Sequence, residues 1–195
     1  MFFQSKKIIN EEMAYDGHFK IKKYTLEDGD GNKQINECFE RGNSVAAVIF
    51  HRDKQVFLFT QQYRIGPQQD MIEIVAGSMD KENETPSEAL IREVEEELGY
   101  QVITDSVEHI ASVFVSPGGT SERVHIMYAE VENKISSGGG LDGEDITVIE
   151  MTAHEITDLS KFNDAKTVLG IQWFLNRALV NASLINSETQ IQEEE

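Results

Sequence analysis

The chain has 195 residues, which is about one domain's worth, and its 17 basic and 35 acidic side chains give a formal charge of −18. That balance excludes a protein that tracks nucleic-acid phosphates or docks on an anionic membrane, both of which need clustered Lys and Arg, and no apolar run approaches the ~18–20 residues of a membrane span. The single cysteine, Cys38, excludes an intrachain disulfide; with no signal-peptide pattern in MFFQSKKIIN, it sets the expectation of a reducing cytoplasm.

In chain order, His18 to Leu26 alternates apolar and polar residues, a turn follows at Glu27 to Asn32, and a second strand runs from Lys33 to Phe39. This is a β-hairpin pattern. Strands are expected next at Val45 to Phe50, Val56 to Tyr63 and Met71 to Val75, the last running into Ala76-Gly77. A helix from Pro86 to Leu98 is bounded locally. Thr85 is its N-cap, Pro86 its first residue, Glu88 the partner in a capping box, and Gly99 its stop. Further strands are expected at Val107 to Val115, Val124 to Val131 and Ile146 to Met151. A final amphipathic helix spans about Ala165 to Val180, capped by Asn163 or Asp164, with Val168, Ile171, Phe174, Leu175 and Leu179 on its apolar face. The last residues, Glu188 to Glu195, are polar and acidic and read as a frayed tail. Many strands with few helices point to an α+β sandwich.

On the first helix, Glu93, Glu96 and Glu97 stand at i, i+3 and i+4, so three carboxylates share one face. Such a face repels itself. It is either a solvated acidic surface or a site for a hard divalent cation such as Mg²⁺ or Mn²⁺. Arg92 sits where it can tie loop acids to the helix. Downstream, Gly138 to Asp145 forms a glycine-rich acidic loop that can bring Asp142 or Glu144 to a neighbouring site.

The stretch Arg92-Glu93-Val94-Glu95-Glu96-Glu97-Leu98-Gly99-Tyr100 matches the second half of the Nudix box, and the segment from Gly77 closely resembles the whole of it. In the family five residues separate the glycine from the first glutamate; here six separate Gly77 from Glu84, an extra residue in a loop. Within the superfamily the chain resembles the branch that cleaves ADP-ribose and nucleotide sugars. The matching segments are Phe39 to Gly42, Gln61 to Arg64, Glu73 to Gly77, Ser116 to Arg123, Gly138 to Ile146, and Lys166-Thr167.

The resemblance implies a Nudix α/β/α sandwich with a mixed sheet over 43–182. It also implies an N-terminal hairpin region, 1–42, that crosses to a second subunit of a homodimer, leaving 183–195 as an acidic disordered tail. It implies a metal cluster, Mg²⁺ with Mn²⁺ as substitute, held by Glu93, Glu97 and the main-chain oxygen of Ala76, with Glu96 and Glu144 contributing. The catalytic roles fall to Glu97 and to Glu144 or Asp142 as general base. Arg41, Arg64, Lys166, Glu122, Ser78 and Gly118 match substrate-binding positions. The implied reaction is hydrolysis of a nucleoside diphosphate sugar, first ADP-ribose to AMP and ribose 5-phosphate. GDP-mannose or a UDP-sugar is the alternative in the same class. A non-catalytic nucleotide sensor is the alternative from another class.

Overall fold

The computed structural model describes residues 6–141 and 143–193, and from residue 181 onward the backbone alone. Among the described residues eleven strands form two sheets, accompanied by two α-helices. The first sheet is antiparallel and three-stranded, β1 (Lys7–Asp16), β2 (Lys20–Glu27) and β3 (Lys33–Glu40). The expected hairpin is β2–β3, with Ile21 opposite Phe39 and Glu27 opposite Lys33. Its turn is closed by Asp28, whose carboxylate accepts from the backbone of Asp30 and Asn32. β1 is an added strand. Every one of its residues is exposed, so it carries no alternation for a sequence reading to detect.

The second sheet is mixed and eight-stranded. β4 (Asn43–His51) runs parallel to β10 (Arg123–Lys134) and antiparallel to β5 (Val56–Arg64), with which it pairs only over Ile49–His51. Beyond that point β4 and β5 part. The segment expected as one strand divides to fill the gap: β6 (Gln69–Glu73) pairs with β5, and β7 (Val75–Ser78) pairs with β4. β8 (Tyr100–Val102) and β9 (Glu108–Phe114) add to β10, and β11 (Thr147–Met151) adds to β5.

The sheet is covered on both faces, so its strands read as continuous apolar runs. Along β4, Val45, Ala47 and Ile49 join a core cluster with Leu90, Val94 and Leu98 of the first helix. Ala46 and Val48, pointing the other way, join a cluster with Ile171 of the last helix. These are the three layers of an α/β/α sandwich. None of the residues 6–40 belongs to either cluster. The N-terminal sheet is instead fastened to the sandwich by main-chain bonds, Phe39 N–H to Gly119 O at 2.9 Å and Ser121 N–H to Phe39 O at 3.0 Å.

α1 spans Pro86–Glu93, with the Thr85/Glu88 capping box formed in both directions. The helical run ends where expected, at Gly99 in the left-handed region (φ 76°). Its last part, Val94–Leu98, is widened into a π-turn, a feature found often at functional sites. α2 spans Ala165–Glu193, well past the expected end near Val180 and into the segment expected as a disordered tail. After Gly170 the run contains no glycine or proline to stop it, and Glu, Gln, Leu and Ala favour helix. Asp164 is the cap, accepting from Thr167 N–H at 2.9 Å. Val168, Ile171, Phe174 and Leu175 pack on the core, whereas Leu179 is exposed. Among the described residues no helix is long and apolar enough to cross a membrane.

Candidate active site

A cavity of about 550 Å³ opens where β4 and β5 part, between the C-terminal half of the first helical run and the N-terminus of α2. Its lining collects Arg41, Arg64, Ala76, Ser78, Glu93, Glu96, Glu97, Glu122, Glu144 and Lys166. Of the remaining expected site residues, Gly118 does not line it, and Asp142 lies outside the described residues. Gly118 belongs instead to the loop whose neighbours Gly119 and Ser121 bond to β3.

The acidic wall is built on α1 and β7. Gly77 lies in β7 opposite Val45 of β4, and a Cβ there would land on the Glu93 carboxylate. The glycine is therefore a requirement of close approach. Glu93 is 8% exposed and Glu97 5%. Burial, and then the Glu93 charge, push the Glu97 carboxyl up to about 8, while a main-chain hydrogen bond at Ala76 opposes the rise. Burial also raises Glu93, against the pull of Arg92 and with help from Glu96 and Glu144. Glu97 Oε2 is buried without a hydrogen-bond partner, a costly state for a carboxylate oxygen.

Arg92 does what its position predicts. It binds Glu84 through Nε at 3.0 Å and donates to Ser78 O at 3.0 Å and to Glu93 at 2.6 Å. Glu96 lies 3.4 Å from it. The one-residue insertion between Gly77 and Glu84 thus leaves Glu84 tied to the helix. Held to Glu84 first and then to Glu93, the Arg92 guanidinium is raised above its usual range.

The glycine-rich loop is anchored at its start. Gly139 N–H donates to Glu97 O at 2.8 Å and Gly140 N–H to Glu96 O at 3.0 Å, satisfying carbonyls at the end of the π-turn. A Cβ on Gly138 would meet the Leu98–Gly99 backbone. Glu144 turns back on the loop and accepts from Leu141 N–H at 2.9 Å.

The basic wall is set by a residue that the sequence reading placed in a matching segment. Glu73, 4% exposed, accepts from Arg64 Nε at 2.5 Å and Lys166 Nζ at 2.6 Å. Lys166 also pairs with Asp164 at 3.0 Å. Gln62 joins the lining beside Arg64, and the period-2 rule on β5 puts both side chains on one face. At the third side Arg41 stacks over Phe19 and Phe39, 5.4 and 5.7 Å from the ring centroids, and faces Glu122 at 3.8 Å.

Among the described residues no three His, Cys, Asp or Glu side chains converge closely enough to hold an ion as they stand; Glu93 and Glu96 are turned onto Arg92. The donor set nonetheless fits a hard cation. Two buried carboxylates carry raised pKa values, one has an oxygen with no partner, and carboxylate oxygen is the preferred ligand of Mg²⁺ and Mn²⁺.

Comparison with known proteins adds four findings. The NUDIX domain family matches residues 40–170. The chain is 32% identical over 180 residues to a GDP-mannose pyrophosphatase of Yersinia enterocolitica, covering 85% of this chain and 92% of that one. It is 28% identical over 190 residues to a GDP-mannose pyrophosphatase of Cronobacter sakazakii, covering 90% and 97%. In three dimensions it resembles the crystal structure of an ADP compounds hydrolase, with a TM-score of 0.75 at 21% identity over 94% of this chain and 98% of that one.

Proposed function

The chain belongs to the Nudix family, and from that premise we propose that it hydrolyses the pyrophosphate bond of a nucleoside diphosphate sugar with Mg²⁺, or Mn²⁺ in its place. The observation that carries the reading is the buried Glu97 oxygen without a partner beside a second buried carboxylate, Glu93. Among the described residues the cavity wall holds eight carboxylates and four cationic side chains. A diphosphate is repelled by such a wall unless added cations invert the local field. Glu93, Glu96, Glu97, Glu144 and the Ala76 main-chain oxygen would hold the metal. When bound, it polarises phosphoryl oxygens and lowers the pKa of water.

The chain's own groups divide the remaining work. Arg64 and Lys166 bind the diphosphate. Arg41 and Glu122 meet the phosphate and sugar hydroxyls at the far side, with Ser78 as a further contact. Glu144 accepts the proton of the attacking water, or Asp142 does so in its place. Glu97 contributes its buried carboxylate to the wall that would hold the metal.

Two sugar nucleotides are favoured by specific observations. GDP-mannose is named for the relatives, and ADP-ribose is favoured by the resemblance of Ser116 to Arg123. Turnover of GDP-mannose, ADP-ribose and UDP-glucose with Mg²⁺, with products identified, tests the reading. Release of a nucleoside monophosphate and a sugar phosphate is expected, and no turnover of any of the three would overturn it.

The same reading includes a homodimer built on the 1–42 region, with 43–182 as the catalytic domain, in the cytoplasm. Its support is the N-terminal sheet, which contributes nothing to either core cluster and exposes Ile8, Met13, Tyr15 and Ile35. Sedimentation at micromolar concentration should give twice the chain mass. A monomer with full activity would remove the dimer.

A further inference from the structure

We propose that Glu73 is a positioning residue that holds Arg64 and Lys166 as the two halves of one phosphate clamp. The inference rests on the reading of the cavity as a diphosphate site.

The three residues come from three elements that meet only through the fold. Glu73 ends β6, Arg64 ends β5, and Lys166 is the second residue of α2. Glu73 sits opposite Thr60 in the β5–β6 pairing, at the break where Ile74 separates β6 from β7. The same break receives α2, since Ile74 N–H donates to Thr167 Oγ1 at 2.9 Å. Glu73 is thus fixed to the sheet and to the helix that carries Lys166.

Two features indicate function more than stability. First, a lysine in the first turn of a helix faces the positive end of the helix dipole. Here it is held there by two carboxylates, Glu73 and Asp164. Second, the two Glu73 oxygens bind different cations, Oε2 to Arg64 and Oε1 to Lys166. One buried anion therefore sets the spacing between two cations on the cavity wall. Because Glu73 binds Arg64 through Nε, the guanidinium can still offer its terminal N–H groups, which match phosphate geometry.

The inference makes a prediction of opposite sign to simple charge neutralisation. In Glu73→Gln the side chain keeps one oxygen acceptor but its other terminal atom becomes an NH₂ donor. It can hold one cation and repels the other. If Glu73 merely offsets charge, removing it makes the wall more positive and ADP binds more tightly. If Glu73 positions the pair, one oriented charge-assisted contact is lost and ADP binds about tenfold more weakly.

The test is calorimetric titration of the full-length protein with ADP in Mg²⁺ buffer, comparing wild type, Glu73→Gln and Glu73→Asp. Weaker binding by Glu73→Gln, with partial recovery in Glu73→Asp, is the expected result. Unchanged or tighter binding in Glu73→Gln overturns the inference. If Glu73→Gln does not fold, Glu73→Asp decides. It keeps the charge and shortens the bracket by one methylene, so weaker binding supports positioning and equal binding overturns it. A wild-type protein that binds no ADP overturns the diphosphate reading, and this inference with it.

Discussion

The acidic wall and the basic wall of the cavity handle their charges in opposite ways. On the helix side, Glu93 and Glu97 are buried together, both carboxyls are raised, and one oxygen has no partner. On the β5–α2 side, Arg64 and Lys166 face the same cavity, but Glu73 binds both. One wall is under-compensated and the other is compensated by the protein itself. The difference matches the proposed ligands. A wall that receives a metal from solution has to leave carboxylate oxygen unfilled. A wall that receives a phosphate can keep its cations pinned, because an anion adds to the bonds they already make. Arg92 is the partial substitute on the acidic side, and it reaches Glu93 and Glu96 but not the unpartnered Glu97 oxygen.

The strongest way to break this comparison is to remove the metal. Activity is expected to vanish in excess EDTA and return with Mg²⁺ or Mn²⁺. Glu97→Gln should lose most of its turnover even at saturating metal while remaining folded. Full turnover in EDTA, followed by product analysis, would show that the acidic wall is a surface with no ion.

The loop acids come next. Glu144→Gln and Asp142→Asn should each lower kcat by on the order of 10²-fold or more, with little change in KM, since loss of a general base or of a shared metal ligand acts in the chemical step. Titration with Mg²⁺ sharpens the assignment: partial rescue is expected for Glu144→Gln and none for Asp142→Asn. Near-full turnover in both would make the glycine-rich loop a passive cap on the π-turn.

On the basic wall, Arg64→Ala should raise KM by about tenfold with a smaller effect on kcat, as expected for loss of a charged hydrogen bond to substrate. Steady-state kinetics check this. An unchanged KM would mean that Arg64 serves Glu73 and not the phosphate.

The smallest effect is on stability. Glu97 has its folded-state pKa raised to about 8 from an ordinary 4.5, so the folded protein holds a proton that the unfolded chain releases between those values. Metal-free protein is therefore most stabilised by this group below pH 4.5 and loses that contribution as pH rises through 8. The loss is on the order of a few kcal/mol, or several degrees in Tm. Thermal melts in EDTA from pH 5 to 8.5 should show the decline, and Glu97→Gln should flatten it. Equal slopes in both proteins would deny Glu97 its raised value.

Much of the fold was legible because its signals are local. The capping box at Thr85, the stop at Gly99 and the bridge from Arg92 to Glu84 all lie within eight or so residues of chain, where hydrogen bonds and backbone dihedrals are fixed by near neighbours. β1 was not legible, because a strand exposed on both faces has no pattern to read. The single strand expected at Met71 to Val75 became two, because the parting of β4 and β5 is a property of the sheet. The glycine-rich loop was legible as a carrier of acids, but the main-chain bonds that tie Gly139 and Gly140 to the end of the π-turn were not.

By itself the sequence determined that a bounded helix carries Glu93, Glu96 and Glu97 on one face, that Arg92 ties them to the preceding loop, and which family the segment resembles. Only the tertiary structure decided that Glu97 is the carboxylate left with a bare oxygen while Glu96 is shared with Arg92, that Gly77 makes room for Glu93, and that Glu73 joins Arg64 to a lysine 93 positions away from it. The reason is physical. Helix caps and repeating faces follow from geometry within a few residues, whereas burial, desolvation and the pairing of distant charges exist only once β5, β6, β7 and α2 are packed around one cavity.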